Sequence, residues 1–409
     1  MTIKPGSILA GLDIGTSKTC AIIGEVTEQG GLNIIGAGSA PSKGIQKGAI
    51  TNIDAAAQGI QTAIETAEVV ANCNISSVIV NITGNHIQGM NSSGVAAVES
   101  PEIDDNDVAR VLKSAKAVKI PPDREFLHVL AQEYILDGQE GIRNPKGMSG
   151  VRLEAKVHIV TGAISAAQYI IKCVNRCKLE VADMVLSSLA ASEAVLNEDE
   201  KELGCALLDI GSGTTDLALW SHGALMHTHV LGLGGNHLTS DIAKGLKISL
   251  TDAEKLKIHS GCAMTTAVGA EEVFYVPTAD GRENKKYPRQ VLAEIIEPRL
   301  EEIFEMANRE FEKSGLKSEI PAGLIITGGT AVMDAVPELA ERVFGLPVRR
   351  GVPRNIDGLV DFIQNPQYST AIGLLLHAVN HPDIASYNPQ DAKNGSLMGK
   401  LITWIKQIV

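Results

Sequence analysis

The stretch 206-ALLDIGSGTTDLALW-220 passes from an apolar segment through one acid, Asp209, and a turn of small residues into a second apolar segment. A close copy, 10-AGLDIGTSKTCAIIGEV-26, stands near the start of the chain and has Asp13 in the equivalent place. The two acids are 209 − 13 = 196 residues apart, which is close to half of the 409-residue chain. This spacing indicates two related lobes, each of which presents one such turn.

Both turns are predicted to be the tips of β-hairpins, because strand-like residues follow them at 20–26 and 216–220. A P-loop would instead need GxxxxGK[ST] at the start of a helix. Backbone N–H groups in a tip of small residues can surround a phosphate, and each acid can hold the hydration shell of Mg²⁺. A glycine after an acid is also ordinary turn chemistry, so one copy would indicate little. Two copies in matching halves favour a two-sided phosphate clamp.

The overall composition, 44% hydrophobic and 21% charged, is typical of a globular protein. The net charge of −12 argues against nucleic-acid binding, which needs a basic face. The six cysteines contain no CxxC pair and suggest no disulfide framework. We expect no signal peptide, and the sequence has no apolar run of the roughly 20 residues that a membrane span needs. We therefore expect a reduced, cytoplasmic protein.

Strand patterns alternate with helical patterns along the chain, which predicts the α/β class. A helix over 54–71 and a capped helix near Asp104 are the clearest helical predictions. We expect a first ribonuclease-H-like domain over 1–84 plus 165–203, interrupted at 85–164 by a small β-α-β-β subdomain. A second such domain is expected over 204–233 plus 306–380, interrupted at 234–305 by a mostly helical subdomain. A flexible linker (381–396) and an amphipathic helix (397–409) are expected to follow.

The motifs DIGTSKT and DIGSGTTD resemble the two phosphate motifs of the actin/Hsp70/sugar-kinase superfamily. Likewise, 325-IITGGT-330 resembles its adenosine motif and 371-AIG-373 its second connecting motif. The resemblance implies an actin-like fold of two ribonuclease-H-like lobes with ATP and Mg²⁺ in the cleft between them. On spacing alone, 253-AEKLK-257 is better explained as a solvated helix face, but the resemblance places Glu254 at the ribose and Lys257 near the base.

The superfamily resemblance yields a set of expected nucleotide contacts in the two hairpins, in 234-GGN-236, in the helix that follows and in the adenosine motif. They are Asp13, Gly15, Thr16, Ser17, Lys18, Asp209, Gly211, Ser212, Gly213, Thr214, Thr215, Gly234, Gly235, Asn236, Glu254, Lys257, Gly328, Gly329 and Thr330. Asp13 and Asp209 are expected to hold the metal ion through water molecules. No catalytic residue is assigned.

Nearly the whole chain also resembles FtsA, the family of bacterial actin-like cell-division proteins. The resemblance rests on 80-VNITGNHIQGMNSSG-94, 231-LGLGGNHLTSDIA-243, 292-LAEIIEPRLEEIF-304 and the amphipathic C-terminus. It implies a protein that polymerises with itself on the cytoplasmic face of the inner membrane and anchors the FtsZ ring at the division site. It also implies that the inserted subdomain recruits later division proteins.

Two other classes of protein in the superfamily share the phosphate hairpins. A sugar or acetate kinase, the main alternative, needs a carboxylate base and a substrate pocket and has no use for a terminal membrane segment. An Hsp70-type chaperone needs a β-rich peptide-binding domain after the second lobe. In 184-MVLSSLAASEAVL-196, Ser187 or Ser188 stands where the superfamily positions the attacking water. Because serine is a poor general base near neutral pH, we expect ATP hydrolysis to be slow or negligible.

Two surfaces for partners are predicted. In this family the acidic C-terminal peptide of FtsZ binds the helical subdomain, where the basic segment 282-RENKKYPRQ-290 and the next helix offer Arg282, Arg289 and Arg299. In 397-LMGKLITWIKQIV-409, helical spacing places Leu397, Leu401, Trp404, Ile405 and Ile408 on one face. Lys400 and Lys406 lie toward the other side, which suits the surface of an anionic membrane.

Overall fold

The first hairpin lies at the centre of a six-stranded sheet with the strand order β11-β6-β1-β2-β3-β19. The computed structural model describes residues 3–276, 285–359 and 364–381. The first elements are β1 (Ile8–Ile14), β2 (Lys18–Val26), β3 (Leu32–Pro41), β4 (Ile45–Gln46), β5 (Ala49–Ile50), α1 (Ile53–Ala71) and β6 (Ser77–Ile82). Strands β1 and β2 are antiparallel, whereas β6 runs parallel to β1.

Helix α1 forms for reasons that are local to its sequence. The Asn52 side chain accepts a hydrogen bond from the Ala55 N–H at 3.1 Å and so caps the first turn. Asn72 ends the helix in the left-handed conformation with φ of 50°. Ile60, Ile64 and Ala67 form the buried face, as their spacing predicts, and pack against the first sheet. This helix is therefore confirmed.

The inserted subdomain consists of β7 (Gln88–Ala97), α2 (Asp105–Ala115), β8 (Arg124–Leu136), β9 (Gln139–Ile142) and β10 (Arg152–Ala163). Its sheet has the order β7-β10-β8-β9, and Asp104 caps α2 as predicted. The strand β9 is one more short strand than the expected β-α-β-β unit contains. Asp137 and Gly138 both have positive φ and form a two-residue turn between β8 and β9, which is the geometry that favours a hairpin.

The chain then returns to the first sheet with α3 (Ile164–Arg176), β11 (Glu180–Leu186), α4 (Ser187–Val195) and α5 (Glu198–Leu203). Strand β11 pairs in parallel with β6. Helix α4 carries Ser187 and Ser188. These serines belong to the segment 184–196, which we call the first connecting motif, and the helix is buried on nearly all sides. It therefore lies in the interior, between the first sheet and the second lobe.

The second lobe repeats the arrangement in a five-stranded sheet with the order β14-β13-β12-β17-β18. Its elements are β12 (Cys205–Ile210), β13 (Thr215–Ser221), β14 (Ala224–Leu231), α6 (Gly235–Leu246), α7 (Leu250–Ser260), β15 (Val273–Val276), β16 (Lys285–Pro288), α8 (Arg289–Ser314), β17 (Leu324–Thr327), α9 (Val336–Phe344) and β18 (Val348–Arg350). Strands β15 and β16 form a small hairpin inside the otherwise helical subdomain.

The last two elements, β19 (Ile356–Gly358) and α10 (Ser369–Asn380), belong to the first lobe. Strand β19 pairs in parallel with β3, and α10 packs against α4 and the first sheet. The expectation that 306–380 lies wholly in the second domain is therefore wrong. The reason is packing: ten of the twelve residues of α10 are buried, and a Cβ on Gly373 would lie 1.7 Å from the Ala190 carbonyl oxygen of α4.

Three sequence predictions fall outside the described residues. They are the proposed contact Arg282, the linker over 382–396 and the amphipathic helix over 397–409. Within residues 3–276, 285–359 and 364–381, no helix has the length and apolar character to cross a membrane.

Candidate nucleotide-binding cleft

The two glycine turns have the same backbone geometry. In the first, the Gly15 N–H donates to the Lys18 carbonyl at 3.1 Å, and in the second the Gly211 N–H donates to the Thr214 carbonyl at 2.9 Å. The strand registers also correspond, since Ile14 pairs with Thr19 and Ile210 pairs with Thr215. Every one of these positions differs by 196 residues. The predicted pair of equivalent hairpins is confirmed.

The tips of the two hairpins lie against each other. A Cβ on Gly213 of the second tip would lie 2.5 Å from the Thr16 hydroxyl oxygen of the first. Thr16 is itself held by the Gly48 N–H, which donates to its hydroxyl oxygen at 3.1 Å. Glycine at position 213 is therefore what permits the two lobes to approach at this point.

Three carboxyl groups meet behind the tips. Asp13 and Asp209 were expected there, but Asp216, which lies directly across from Asp209 in the β12–β13 ladder, was not. Burial, and then the Asp209 carboxylate, raises the pKa of Asp13 to about 7 against the opposing effect of Lys18. Burial likewise raises the pKa of Asp209 to about 6 and, with the help of Asp209, that of Asp216 to about 7. The cluster therefore favours protons or a bound cation.

Residues from the first lobe hold the two carboxyl groups of the second. The Thr370 hydroxyl, on α10, donates to Asp209 at 2.9 Å, and the Thr83 hydroxyl, just after β6, donates to Asp216. Neither threonine was predicted as a site residue. The signal that could have located Asp216 is an acid that stands inside an otherwise apolar strand, where the first hairpin has Cys20. The two threonines carry no comparable signal.

Lys18 lies close enough to Asp13 to oppose the rise that burial causes in the pKa of that carboxyl group. Its ammonium nitrogen is buried and has no hydrogen-bond partner within the described residues. It lies 3.8 Å from the centre of the Tyr368 ring, and burial lowers the pKa of the side chain. A buried ammonium without an acceptor is costly unless an anion completes the site. This side chain therefore fits the phosphate role that was predicted for it.

The loop before α6 closes the far side of the second hairpin. The Gly235 N–H donates to the Gly211 carbonyl at 2.9 Å, and the Asn236 N–H donates to the Ser212 carbonyl at 2.8 Å. The Thr330 hydroxyl donates to the same Gly211 carbonyl at 3.2 Å. The predicted glycine loop, adenosine motif and second hairpin are thus brought together.

Helix α7 carries Glu254 and Lys257, the residues predicted to lie at the ribose and near the base of the nucleotide. The Lys257 ammonium is buried and donates to the Gly235 carbonyl at 3.2 Å and to Glu254 at 2.7 Å. The Thr239 hydroxyl also donates to Glu254. These contacts are incompatible with a wholly solvated helix face at 253–257. Gly234, Gly328 and Gly329 border the same region, and a Cβ on Gly328 would lie 2.3 Å from Asp209.

The two serines of the first connecting motif have different environments. The Ser187 hydroxyl donates to the Ile82 carbonyl at 3.3 Å and accepts from Asn81 at 3.1 Å. Asn81 in turn accepts from the Ile14 N–H at 2.7 Å, which ties this motif to the first hairpin. The Ser188 hydroxyl is buried and has no hydrogen-bond partner in the part of the chain that the structure describes.

The arginines predicted to contact a partner are engaged within the protein. Arg289 forms ion pairs with Glu272 at 2.7 Å and with Asp334 at 2.6 Å. Arg299 pairs with Asp241 and with Glu302. Their positive charge is therefore partly neutralised at the surface, and their role in partner binding remains a prediction.

Two sheets that each present a glycine hairpin to a shared cleft define an actin-like nucleotide-binding fold. Solved structures agree: the chain is similar to one in the PilM–PilN type IV pilus biogenesis complex, with a TM-score of 0.65 and 16% identity, over 92% of this chain and 99% of that one. MreB5 of Spiroplasma citri bound to ADP has a TM-score of 0.56 and 14% identity, over 95% of this chain and 99% of that one. At these identities the likeness concerns the fold.

The family follows from closer relatives. The chain is 48% identical to the cell division protein FtsA of Pseudomonas aeruginosa over 92% of this chain and 91% of that protein. It is 41% identical to FtsA of Escherichia coli K12 over 98% of both. The family model "Cell division protein FtsA" matches residues 206–373, and "SHS2 domain inserted in FTSA" matches 84–161. The chain belongs to the FtsA family of cell division proteins.

The carboxyl cluster predicts a pH dependence of stability in the absence of nucleotide. The folded-state pKa of Asp216 is raised from 3.8 to about 7, so the folded protein binds more protons than the unfolded protein between these values. The stability that this group contributes is full at low pH and is lost as the pH rises from about 4 to about 7. Asp216→Asn should therefore raise the melting temperature above that of the parent at pH 8.

Below about pH 4 the Asp216 carboxyl is protonated in both the folded and the unfolded protein and resembles the amide, so the difference between the two melting temperatures should be smallest at the acidic end of the series and should grow as the pH rises. The measurement is a thermal unfolding series from pH 5 to pH 8 without nucleotide or divalent cations. Glu65→Gln, an exposed acid on α1, is the control and should show no such trend. A constant difference between Asp216→Asn and the parent across the series would refute the prediction.

Proposed function

We propose that the cleft binds ATP together with Mg²⁺. The observation that carries the proposal is the buried ammonium of Lys18, which has no hydrogen-bond partner within the described residues and lies near Asp13, one of three buried carboxyl groups of the cleft. Backbone N–H groups of the Gly15–Lys18 and Gly211–Thr214 turns would hold the phosphates, and Asp13 and Asp209 would hold the hydrated cation, with Asp216 beside them. Bound Mg²⁺ supplies positive charge that offsets both the phosphates and the carboxylates.

Nucleotide binding on this proposal also sets the separation of the lobes. Because the Gly213 and Thr16 tips are already in contact, phosphates between them require the tips to move apart. The hydrogen bonds of Asp209 to Thr370 and of Asp216 to Thr83 join the lobes immediately beside this point. The nucleotide is thus expected to act mainly as a structural ligand that defines one arrangement of the lobes.

Slow ATP hydrolysis is consistent with the first connecting motif. Ser187 already donates its proton to the Ile82 carbonyl and accepts from Asn81. The Ser188 hydroxyl has no hydrogen-bond partner among the described residues, but a serine hydroxyl is a weak base at neutral pH. We therefore propose a protein that holds ATP for long periods, with turnover far below about 1 s⁻¹.

Lys18→Met tests the nucleotide proposal. Methionine keeps the length of the side chain and removes the ammonium, and a hydrogen bond to a charged group contributes about 1.5–3 kcal/mol, which corresponds to roughly 10–100-fold in affinity. Titration with a fluorescent ATP analogue and Mg²⁺ should show a loss of this size. Lys113→Met, an exposed lysine on α2, is the matched control. Equal affinity of Lys18→Met and Lys113→Met would exclude a phosphate role for Lys18.

We propose that the protein polymerises at the membrane and anchors the FtsZ ring through the helical subdomain. An acidic peptide would meet Arg289 and Arg299 at the ends of existing ion pairs and would compete with Asp334 and Asp241 for them. Such exchange is easier for Arg299, whose side chain is about a third exposed, than for Arg289, which also donates to the Ser260 and Gly261 carbonyls. Electrostatic attraction would mainly increase the association rate and make binding sensitive to salt.

Arg299→Glu is expected to weaken binding of the FtsZ C-terminal peptide because it reverses the charge at the proposed contact. Fluorescence anisotropy with the labelled peptide at low and moderate salt measures the effect, which should shrink as salt rises. Arg309→Glu makes the same charge change farther along α8, where Arg309 pairs with Glu305, and serves as the control. If both variants bind the peptide like the parent, Arg299 is not part of the docking surface.

The proposed attachment to the inner membrane rests on the sequence of residues 397–409. A helix of this length is too short to span a bilayer but has the apolar face and the tryptophan of an interfacial anchor. Its lysines would each add about 1 kcal/mol of attraction to an anionic leaflet. One such helix is marginal, so stable attachment would depend on many copies in a polymer.

Trp404→Glu should release the full-length protein from liposomes that contain anionic lipid, since it places a charge on the apolar face. Thr403→Glu adds the same charge on the opposite side of the projected helix and should retain most of the binding. Co-sedimentation measures both, and nucleotide affinity should be unchanged in each. Equal release by the two variants would indicate a charge effect without a helical anchor, and no release by Trp404→Glu would rule out the anchor.

A further inference from the structure

A second group of ionisable side chains lies at the end of α10 that points away from the cleft. Glu193 on α4, His377 on α10 and His381 just after α10 each place one nitrogen or oxygen within 4.8 Å of the others. The two imidazole rings have centroids 4.5 Å apart. His377 and His381 are four residues apart, so the last turn of the helix brings them to one face. None of the three belongs to the nucleotide site.

His377 has a buried imidazole with one ring nitrogen that makes no hydrogen bond within the described residues. The residue is only 4% exposed, and its Nδ1 atom has no hydrogen-bond partner within the described residues. Burial, followed by the nearby His381, His128 and Lys201, places the pKa of His377 well below 6.5. The ring is therefore neutral and has a lone pair available. The neighbouring His128 differs, because its Nε2 atom accepts from the Leu186 N–H at 3.0 Å.

Glu193 is oriented for the same position. The Asn380 amide donates to one carboxylate oxygen at 2.8 Å and holds the group in place. The other oxygen lies 3.5 Å from the Lys201 ammonium, which has a closer partner in Glu198 at 3.0 Å. The carboxylate is therefore held beside the histidines, with only a long contact to Lys201 on its second oxygen. Such an outer hydrogen bond commonly orients a metal-binding carboxylate.

We propose that Glu193, His377 and His381 form a binding site for a divalent transition-metal ion, with Zn²⁺ as the best match. Two imidazoles and one carboxylate are a usual ligand set for Zn²⁺, whereas Mg²⁺ and Ca²⁺ prefer oxygen ligands only. Water would fill the fourth position. The charge of the ion also compensates the carboxylate, so that Lys201 is no longer needed for this purpose.

This site would act on the helix that also contributes to the cleft. Thr370, which donates to Asp209, stands 381 − 370 = 11 residues before His381, a distance of about 16 Å along a helix. A metal ion that joins α4 to the end of α10 would fix the pair of helices between the two sites. The inference does not depend on ATP binding, because no residue is shared with the proposed nucleotide site.

The test is a Zn²⁺ titration of untagged full-length protein after chelator treatment, in competition with a chromogenic zinc indicator and in the presence of saturating Mg²⁺. We expect one Zn²⁺ per chain and a higher melting temperature when it is bound. His381→Ala and Glu193→Gln each remove a proposed ligand and should weaken binding by more than the roughly 10–100-fold that loss of an outer hydrogen bond to a ligand costs. His259→Ala removes an exposed histidine from α7 and should bind like the parent. Circular dichroism establishes that each variant is folded.

Co²⁺ provides a second readout that separates this site from the cysteines. Bound by two imidazoles and a carboxylate, Co²⁺ should give visible tetrahedral bands without the intense thiolate-to-cobalt absorption, and His381→Ala should lose these bands. Absence of stoichiometric binding, equal binding by His381→Ala and the parent, or a thiolate signature would each overturn the proposal. Loss of nucleotide binding in Lys18→Met would leave the zinc result unchanged.

Discussion

Burial of three carboxyl groups in the cleft, together with the repulsion between them, is the constraint on which the arrangement of the lobes depends. Asp13 belongs to the first lobe, and Asp209 and Asp216 belong to the second, so approach of the lobes brings like charges together in a buried environment. Protons can relieve this repulsion at low pH, and a cation can relieve it at neutral pH. If the cleft binds Mg²⁺ as proposed, closure of the cleft and binding of the cation are two aspects of one equilibrium.

Helix α10 connects the carboxyl cluster to the core of the first lobe. Its first turn supplies Thr370 to Asp209 of the second lobe, whereas its body packs on α4 and the first sheet. Because it is buried on nearly every side, it cannot shift without disturbing both lobes. The same rigidity explains how His377 and His381 are held opposite Glu193, far from the hairpins. An actin-like cell-division protein thus has one internal helix in contact with both ligand sites proposed for it.

Much of the fold follows from local patterns in the chain. The two glycine turns predict equivalent hairpins because the same pattern of strand, acid and small-residue turn recurs 196 residues apart, and the apolar spacing of α1 predicts its buried face. Asp104 marks the start of α2 by capping chemistry that acts over three residues. Family resemblance extends these local signals to the actin-like architecture. The strand β9 was missed, although the Asp137–Gly138 turn that creates it is itself a local signal.

Local patterns do not predict which residues far apart in the chain come into contact, because these contacts depend on how sheets and helices pack. Local patterns identify α10 as an apolar helix but do not tell which lobe buries it, because either core would accept an apolar surface. Asp216 becomes a site residue only when Asp13 and Thr83 arrive from the other lobe. Glu193 joins His377 only because α4 crosses α10, and hydrophobic periodicity specifies faces of helices without specifying their neighbours.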